Sequence, residues 1–330
     1  MKYKSLFLSQ DTKFHIMPIL EKPAVPRPPE PTVNPLYSPR GAKLATRVWR
    51  NSAGNPRAIC LMVPGGGWHS GYFEPLALFL NQQGFACTSY DPVGMGYSEA
   101  EPGTPAGCIH INQFDDFVED IFAALVWTKQ QLQCSADVPI FLIGESVGGL
   151  QVLAAGLAED RVKAAGINLA GIIVTGAALE IDPATLPPRP IIKVLAFLSR
   201  FYPRVKMPAT DFSGTFDAAF GNKEWARIAR LDPGVQVSPR PTMAAATAMV
   251  TTGEKIARRA EAFNVPLLAI HAVKDCRTMC EAMQQFVDQS GSLSEGFWVE
   301  DTTGHQLLQD REEVTSRVME KMVSWLLERT

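Results

Sequence analysis

The chain has 330 residues, with 31 Lys+Arg against 34 Asp+Glu, a net charge of −3 and 46 % hydrophobic residues. This ordinary globular balance excludes a largely disordered chain, and no Lys/Arg run is long enough for the basic stripe that nucleic acid requires. At about 150 residues per domain the length predicts two domains, or one large core with an insertion, able to bury apolar surface without metals or disulfides.

No apolar run reaches the roughly 18–20 residues of a membrane span. The opening stretch, residues 1–14, is broken by Gln10, Asp11 and Lys13, so no secretory signal is expected. Eight prolines between Pro18 and Pro39 favour extended polyproline conformation. Residues 1–43 are therefore expected to be an arm on the surface or disordered. The cysteines Cys60, Cys87, Cys108, Cys134, Cys276 and Cys280 form no Cys-x-x-Cys pair and read as reduced thiols of a cytoplasmic protein. Cys276 and Cys280 lack a second Cys/His pair, so no metal site is expected.

Leu44–Arg50 alternates like a strand, and Ala58–Val63 is a wholly apolar run ending at Gly65-Gly66-Gly67. Phe73–Gln83 reads as a helix and Phe85–Tyr90 as a second buried strand. Ile111–Gln133 carries Phe114, Val118, Ile121, Phe122, Leu125 and Val126 at helical spacing. Pro139–Ile143 is another strand, followed by Gly144-Glu-Ser-Val-Gly-Gly149 and the helical Leu150–Leu157. Val162–Leu169, Val265–Ala272 and Phe297–Val299 are further strand candidates, and Glu312–Glu328 is the last helix. Short apolar strands alternating with amphipathic helices predict an α/β fold, a mostly parallel sheet covered on both faces. Between about Leu179 and Val250 the alternation breaks, which marks an insertion.

A G-x-S-x-G string gains weight when it follows a buried strand and opens a helix. In that context Ser146 sits on a tight, strained turn, with Gly144 and Gly148 avoiding clashes and the Val147 amide at a helix N-terminus, where it can stabilise an oxyanion. A serine hydroxyl needs a base, and the base an orienting acid. Of the histidines, His15 precedes the fold, His271 lies inside a strand pattern and reads as core, and His69 reads as a structural loop residue. His305 lies in the loop before the last helix, and Asp275 follows the strand Val265–Ala272. The chain order Ser146, Asp275, His305 is that of α/β-hydrolases. The second oxyanion donor is expected from the glycine loop after Val63: Gly66, with Gly67 as the alternative.

Several stretches together carry a family resemblance. They are Gly65-Gly-Gly-Trp-His-Ser-Gly71 with Glu74, Asp91-Pro-Val-Gly-Met-Gly-Tyr-Ser-Glu99, Gly144–Gly149, Pro266–Asp275 and Gly304-His-Gln-Leu-Leu308. Over most of residues 44–330 the chain resembles the monoglyceride lipase and lysophospholipase group of α/β-hydrolases. The resemblance implies an α/β-hydrolase core over 44–178 and 251–330, a cap (lid) over 179–250, and a Ser146–His305–Asp275 triad. It also implies an oxyanion hole from Gly66 and Val147, and hydrolysis of glycerol or related lipid esters with no cofactor. Two departures stand out. The family's usual His-Gly is Pro64-Gly65 here, and its glycerol-facing polar positions are Trp68, Tyr72 and Leu308.

Within the insertion, residues 189–206 hold Arg189, Lys193, Arg200, Arg204 and Lys206 and no acidic residue. Ile191, Val194, Leu195, Leu198, Tyr202 and Val205 fall on one helical face. Such a basic amphipathic helix fits peripheral contact with a membrane, or a lid over the acyl pocket. The expectation is a serine hydrolase for acyl esters. The alternatives are an esterase or acyltransferase for non-glyceride acyl groups, and a non-catalytic binding protein of the same fold.

Overall fold

The computed structural model describes residues 23–51, 54–135, 137–208, 216–291 and 293–330. Residues 1–22 of the expected arm, with Pro18 and His15, lie outside them. The strands and α-helices run in chain order: β1 (Leu36–Tyr37), β2 (Lys43–Leu44), β3 (Thr46–Trp49), β4 (Ala58–Val63), α1 (Glu74–Gln82), β5 (Phe85–Tyr90), α2 (Asp115–Leu132), β6 (Ile140–Glu145) and α3 (Val147–Gly156). They continue with α4 (Glu159–Ala164), β7 (Leu169–Thr175), α5 (Arg189–Leu198), α6 (Lys223–Leu231), α7 (Met243–Ala257), β8 (Leu267–Ala272), α8 (Cys280–Gln289), β9 (Ser294–Val299) and α9 (Glu312–Leu327).

Seven strands form the main sheet in the order β3-β5-β4-β6-β7-β8-β9. Only β3 is antiparallel to its neighbour. Strands β4, β5, β6 and β8 are buried at every position, because helices cover both faces and no polar alternation is needed. The two-residue period still sorts the side chains. Ile59, Leu61 and Val63 meet Phe117, Ile121 and Leu125 of α2 and Leu150 and Leu153 of α3 on one face. Ala58, Cys60 and Met62 meet Leu76 and Phe79 of α1 and Val318, Met322 and Trp325 of α9 on the other.

One expected strand is misplaced. Val162–Leu169 is divided between α4 and the start of β7, and the buried strand is Leu169–Thr175. Gly171 interrupts the apolar run that would have marked it. A Cβ at Gly171 would stand 2.6 Å from the Trp325 ring, so the gap in the pattern is the space that ring occupies.

The arm from residue 23 onward lies on the core surface: Pro26 is buried, and the Trp127 indole N–H donates to the Asn34 carbonyl at 2.7 Å. Between β7 and β8 the chain makes a long crossover that carries α5, α6 and α7. Helix α7 spans position 250, where the insertion was expected to end. Strand β4 has β5 on one side and β6 on the other. The chain therefore reverses direction across the sheet there, and the loops after β4 and β6 part to open a crevice at the carboxyl ends of the strands.

Candidate active site

Ser146 is the single residue between β6 and α3, with φ 54° and ψ −117°. Such backbone costs on the order of 1–3 kcal/mol and persists only where neighbours enforce it. Here the Ser146 N–H donates to the Thr175 carbonyl at 2.9 Å, and its carbonyl accepts from Leu150 at 3.2 Å and Ala178 at 3.0 Å. A Cβ at Gly144 would meet the Gly148 carbonyl oxygen at 2.5 Å, and one at Gly148 would meet the Val63 oxygen at 2.1 Å. The two glycines are thus required by close backbone approach, as the sequence predicts.

Asp275 follows β8, and His305 lies in the loop between β9 and α9. His305 Nδ1 donates to Asp275 Oδ2 at 2.8 Å. The other carboxylate oxygen accepts from the backbone N–H of Arg277 at 2.7 Å and of Thr278 at 3.2 Å. Burial pushes the Asp275 carboxyl up, but the His305 charge and hydrogen bonds from His271 and His305 outweigh it and hold it well below its usual range. Burial also works against a charged His305, yet Asp275, and Glu145 more weakly, raise it above the ordinary histidine value. Ser146 and His305 line the same cavity, but the Ser146 hydroxyl makes no hydrogen bond among the described residues. The His–Asp arm is closed and the Ser–His arm open, as is common before substrate tightens a site.

The amides of Gly66 and Val147 donate to nothing among the described residues, and a Cβ at Gly66 would lie 3.3 Å from Val147 Cγ2. The alternative donor, Gly67, points its N–H at Met95 Sδ at 3.4 Å. Its carbonyl accepts from the Gln236 N–H at 2.8 Å, and the Gln236 side chain donates to the Gly94 carbonyl at 2.9 Å. After Pro64, His69 braces the loop. Its Nε2 donates to Asp232 Oδ2 at 2.9 Å and its Nδ1 accepts from the Gly71 N–H at 3.1 Å. Tyr72 Oη donates to the same Asp232 oxygen at 3.1 Å, and the Ser70 N–H and hydroxyl both donate to Asp91.

The cavity holds about 250 Å³. Its wall is mostly apolar, with Met95, Ile109, Leu186, Phe216, Phe220 and Met249 among its residues, and Arg277 as its sole Lys or Arg side chain and no carboxylate among the described residues. Of the three expected substrate contacts, Trp68 lines it. Tyr72 and Leu308 do not: Tyr72 is turned to Asp232, and Leu308 is packed in the core beneath α9. A second cavity of about 790 Å³ between α5, α7 and α8 shares Ala178, Ile181, Leu186 and Val250 with the first.

Sequence reasoning missed Asp232, Gln236, Thr278 and the contact of His271 with Asp275. Their partners are remote in the chain, and no local pattern marks them. It also passed over Glu145. Burial raises this carboxyl to about 7 against the opposing effect of His305, and its Oε1 has no partner among the described residues.

The family model for serine aminopeptidase, S33, matches residues 54–312. Monoglyceride lipase from Rattus norvegicus is 24 % identical over 304 residues, covering 89 % of this chain and 90 % of the rat protein. Monoacylglycerol lipase from Mycolicibacterium smegmatis is 23 % identical over 287 residues, with 87 % and 94 % covered. A soluble variant of Saccharomyces cerevisiae monoglyceride lipase, solved with a substrate analog, superposes with a TM-score of 0.73 at 19 % identity, covering 94 % of this chain and 96 % of that one.

Proposed function

The chain belongs to the serine aminopeptidase, S33, family, and from that premise we propose that it hydrolyses fatty-acyl esters of the monoacylglycerol or lysophospholipid type. Ser146, His305 and Asp275 are the triad of this reading, and Gly66 and Val147 its oxyanion hole. The supporting observation is the cavity: a strained serine, a carboxylate-paired histidine and two unengaged amides border an apolar chamber. An aminopeptidase must neutralise a substrate ammonium, and no carboxylate lines this wall among the described residues. An acyl chain needs no such partner, and relatives named monoglyceride and monoacylglycerol lipase favour the same substrate class.

His305 takes the Ser146 proton as the oxygen attacks the ester carbonyl, and Asp275 stabilises the imidazolium. The Gly66 and Val147 amides hold the tetrahedral oxyanion. The imidazolium then protonates the departing alcohol, leaving an acyl-serine. Water activated by His305 releases the fatty acid. The acyl chain lies in the apolar cavity and continues under α5 into the adjoining one. The crossover from 179 to 250 acts as a cap.

Helix α5 buries none of its residues, and Ile191, Val194, Phe197 and Phe201 are 49, 56, 56 and 64 % exposed. This face keeps Ile191 and Val194 of the expected one, with Tyr202 and Val205 also exposed, but has Phe197 and Phe201 where Leu195 and Leu198 are half-buried. The exposed face and the bases around it support peripheral contact with a membrane. Among the described residues no helix is long and apolar enough to cross one. A cytoplasmic enzyme that visits membranes is the resulting reading.

A second reading, a non-glyceride acyl ester, is favoured by the wall itself, which presents Trp68 to the cavity while Tyr72 is turned to Asp232 and Leu308 to the core. A panel of monoacylglycerols, lysophospholipids, short p-nitrophenyl esters and aminoacyl anilides tests both readings. Ester cleavage that vanishes in Ser146→Ala, together with fluorophosphonate labelling, is the expected result. Labelling undiminished in that variant, or anilide cleavage alone, overturns the reading.

A further inference from the structure

We propose that His271, which lies outside the triad, is a positioning residue that shares the Asp275 carboxylate with His305 and so limits the basicity of the catalytic imidazole. The inference rests on the triad reading above.

His271 occupies the interior of β8 between Ile270 and Ala272 and is wholly buried. An imidazole there costs free energy unless it is hydrogen-bonded. Its Nε2 lies 3.1 Å from Thr278 Oγ1 and 3.3 Å from Asp275 Oδ2. Its Nδ1 is buried with no partner among the described residues. A proton on Nδ1 would be an orphaned donor, whereas one on Nε2 has Thr278 Oγ1 to accept it and Asp275 Oδ2 within ion-pair reach, so the contacts assign the proton to Nε2. Thr278 Oγ1 has further contacts with the Gly176 carbonyl and Asp275 Oδ2, each at 3.3 Å.

Asp275 Oδ2 therefore faces the Nδ1–H of His305, the Nε2–H of His271 and the Thr278 hydroxyl. Each donor takes part of the carboxylate charge, and what one ring receives the other does not. The shorter bond, 2.8 Å, goes to His305, so His271 is the lesser partner. The other titratable or charged groups around the pair are Glu145 at the end of β6, Cys276 and Arg277 in the loop after β8, and Cys280 at the start of α8. If the His271 donor is removed, more carboxylate charge falls to His305, and its imidazolium becomes harder to deprotonate.

The test is histidine ¹³Cε1 NMR titration of the full chain, which needs no substrate, paired with kcat/KM against pH for an ester. In His271→Leu the His305 midpoint and the acid limb are expected to rise by about half a pH unit. In His271→Gln, whose amide N–H reaches the Nε2 position, both should stay at the wild-type value. Repeating the pair in a Glu145→Gln background separates the titration of that carboxyl. A His305 midpoint unmoved in His271→Leu, or moved equally by Gln, overturns the proposal. If the Leu variant does not fold, Thr278→Val is read instead, with a smaller rise expected and no rise overturning it. A titration that shifts as expected in a chain that cleaves no ester would instead refute the hydrolase reading and leave the shared carboxylate standing.

Discussion

The crossover between β7 and β8 contains two stretches with opposite characters. From Arg189 to Val205 the chain lies lightly on the molecule. It buries none of the residues of α5, and the Arg204 side chain donates to the Pro102 carbonyl. From Phe216 to Val237 the chain is part of the site. Phe220, Ala229 and Asp232 are buried, Asp232 and Gln236 hold the glycine loop, and the Ala219 carbonyl accepts from the Gln306 N–H beside His305 at 2.8 Å. An insertion can thus be a fixed wall over one part of its length and a free surface over the other. Hydrogen bonds across the crevice, more than helix content, distinguish the two.

The wall stretch should give the largest response. Asp232→Ala leaves His69 Nε2 and the Tyr72 hydroxyl buried without their shared acceptor, and breaking such a buried pair costs about 3–5 kcal/mol. Denaturant unfolding should show that loss. Because the glycine loop is freed, kcat for a soluble ester should fall by about 10²-fold, the typical effect of losing one oxyanion donor. Full activity in that variant would dissolve the distinction between the two stretches.

A charge change on the free stretch should leave chemistry alone. Phe197→Asp with Phe201→Asp is expected to abolish co-sedimentation with liposomes, while kcat on a soluble short-chain ester stays within about twofold, since exposed substitutions rarely disturb the fold. A large loss on the soluble ester would mean that this stretch also shapes the cavity.

The smallest and most general effect concerns pH. In the proposed mechanism His305 acts as a base only when neutral, and despite burial Asp275 raises it above the ordinary 6.5. Activity should therefore rise with pH through a midpoint above 6.5 and be lost below it. Asp275, held low, stays ionised throughout that range. An acid limb in kcat/KM below 6.5 would contradict the His305–Asp275 pairing.

Much of this was legible beforehand. Ala58–Val63 read as a strand because it is an unbroken apolar run, and Phe85–Tyr90 because it is a short run between Gly84 and Asp91-Pro92, and the structure keeps both bounds. Ser146 was legible because a strained strand-to-helix turn demands glycines two positions either side. Leu169–Thr175 was not, because its gap at Gly171 makes sense only with Trp325 in place. The exposed side of α5 was legible in Ile191 and Val194 but not in Leu195 and Leu198, because both of its sides carry apolar residues and docking against α7 decides which turn inward.

The sequence alone determined the alternation of strands and helices and the order of serine, acid and histidine, because these depend on neighbours along the chain and on a turn that tolerates few residues. Only the tertiary structure decided that His69 is tied to an aspartate 163 positions away, that Gly66 rather than Gly67 keeps its amide free, and that His271 touches Asp275. Each is a question of which donor meets which acceptor, and buried polar groups find their partners across the packed molecule wherever geometry and desolvation allow.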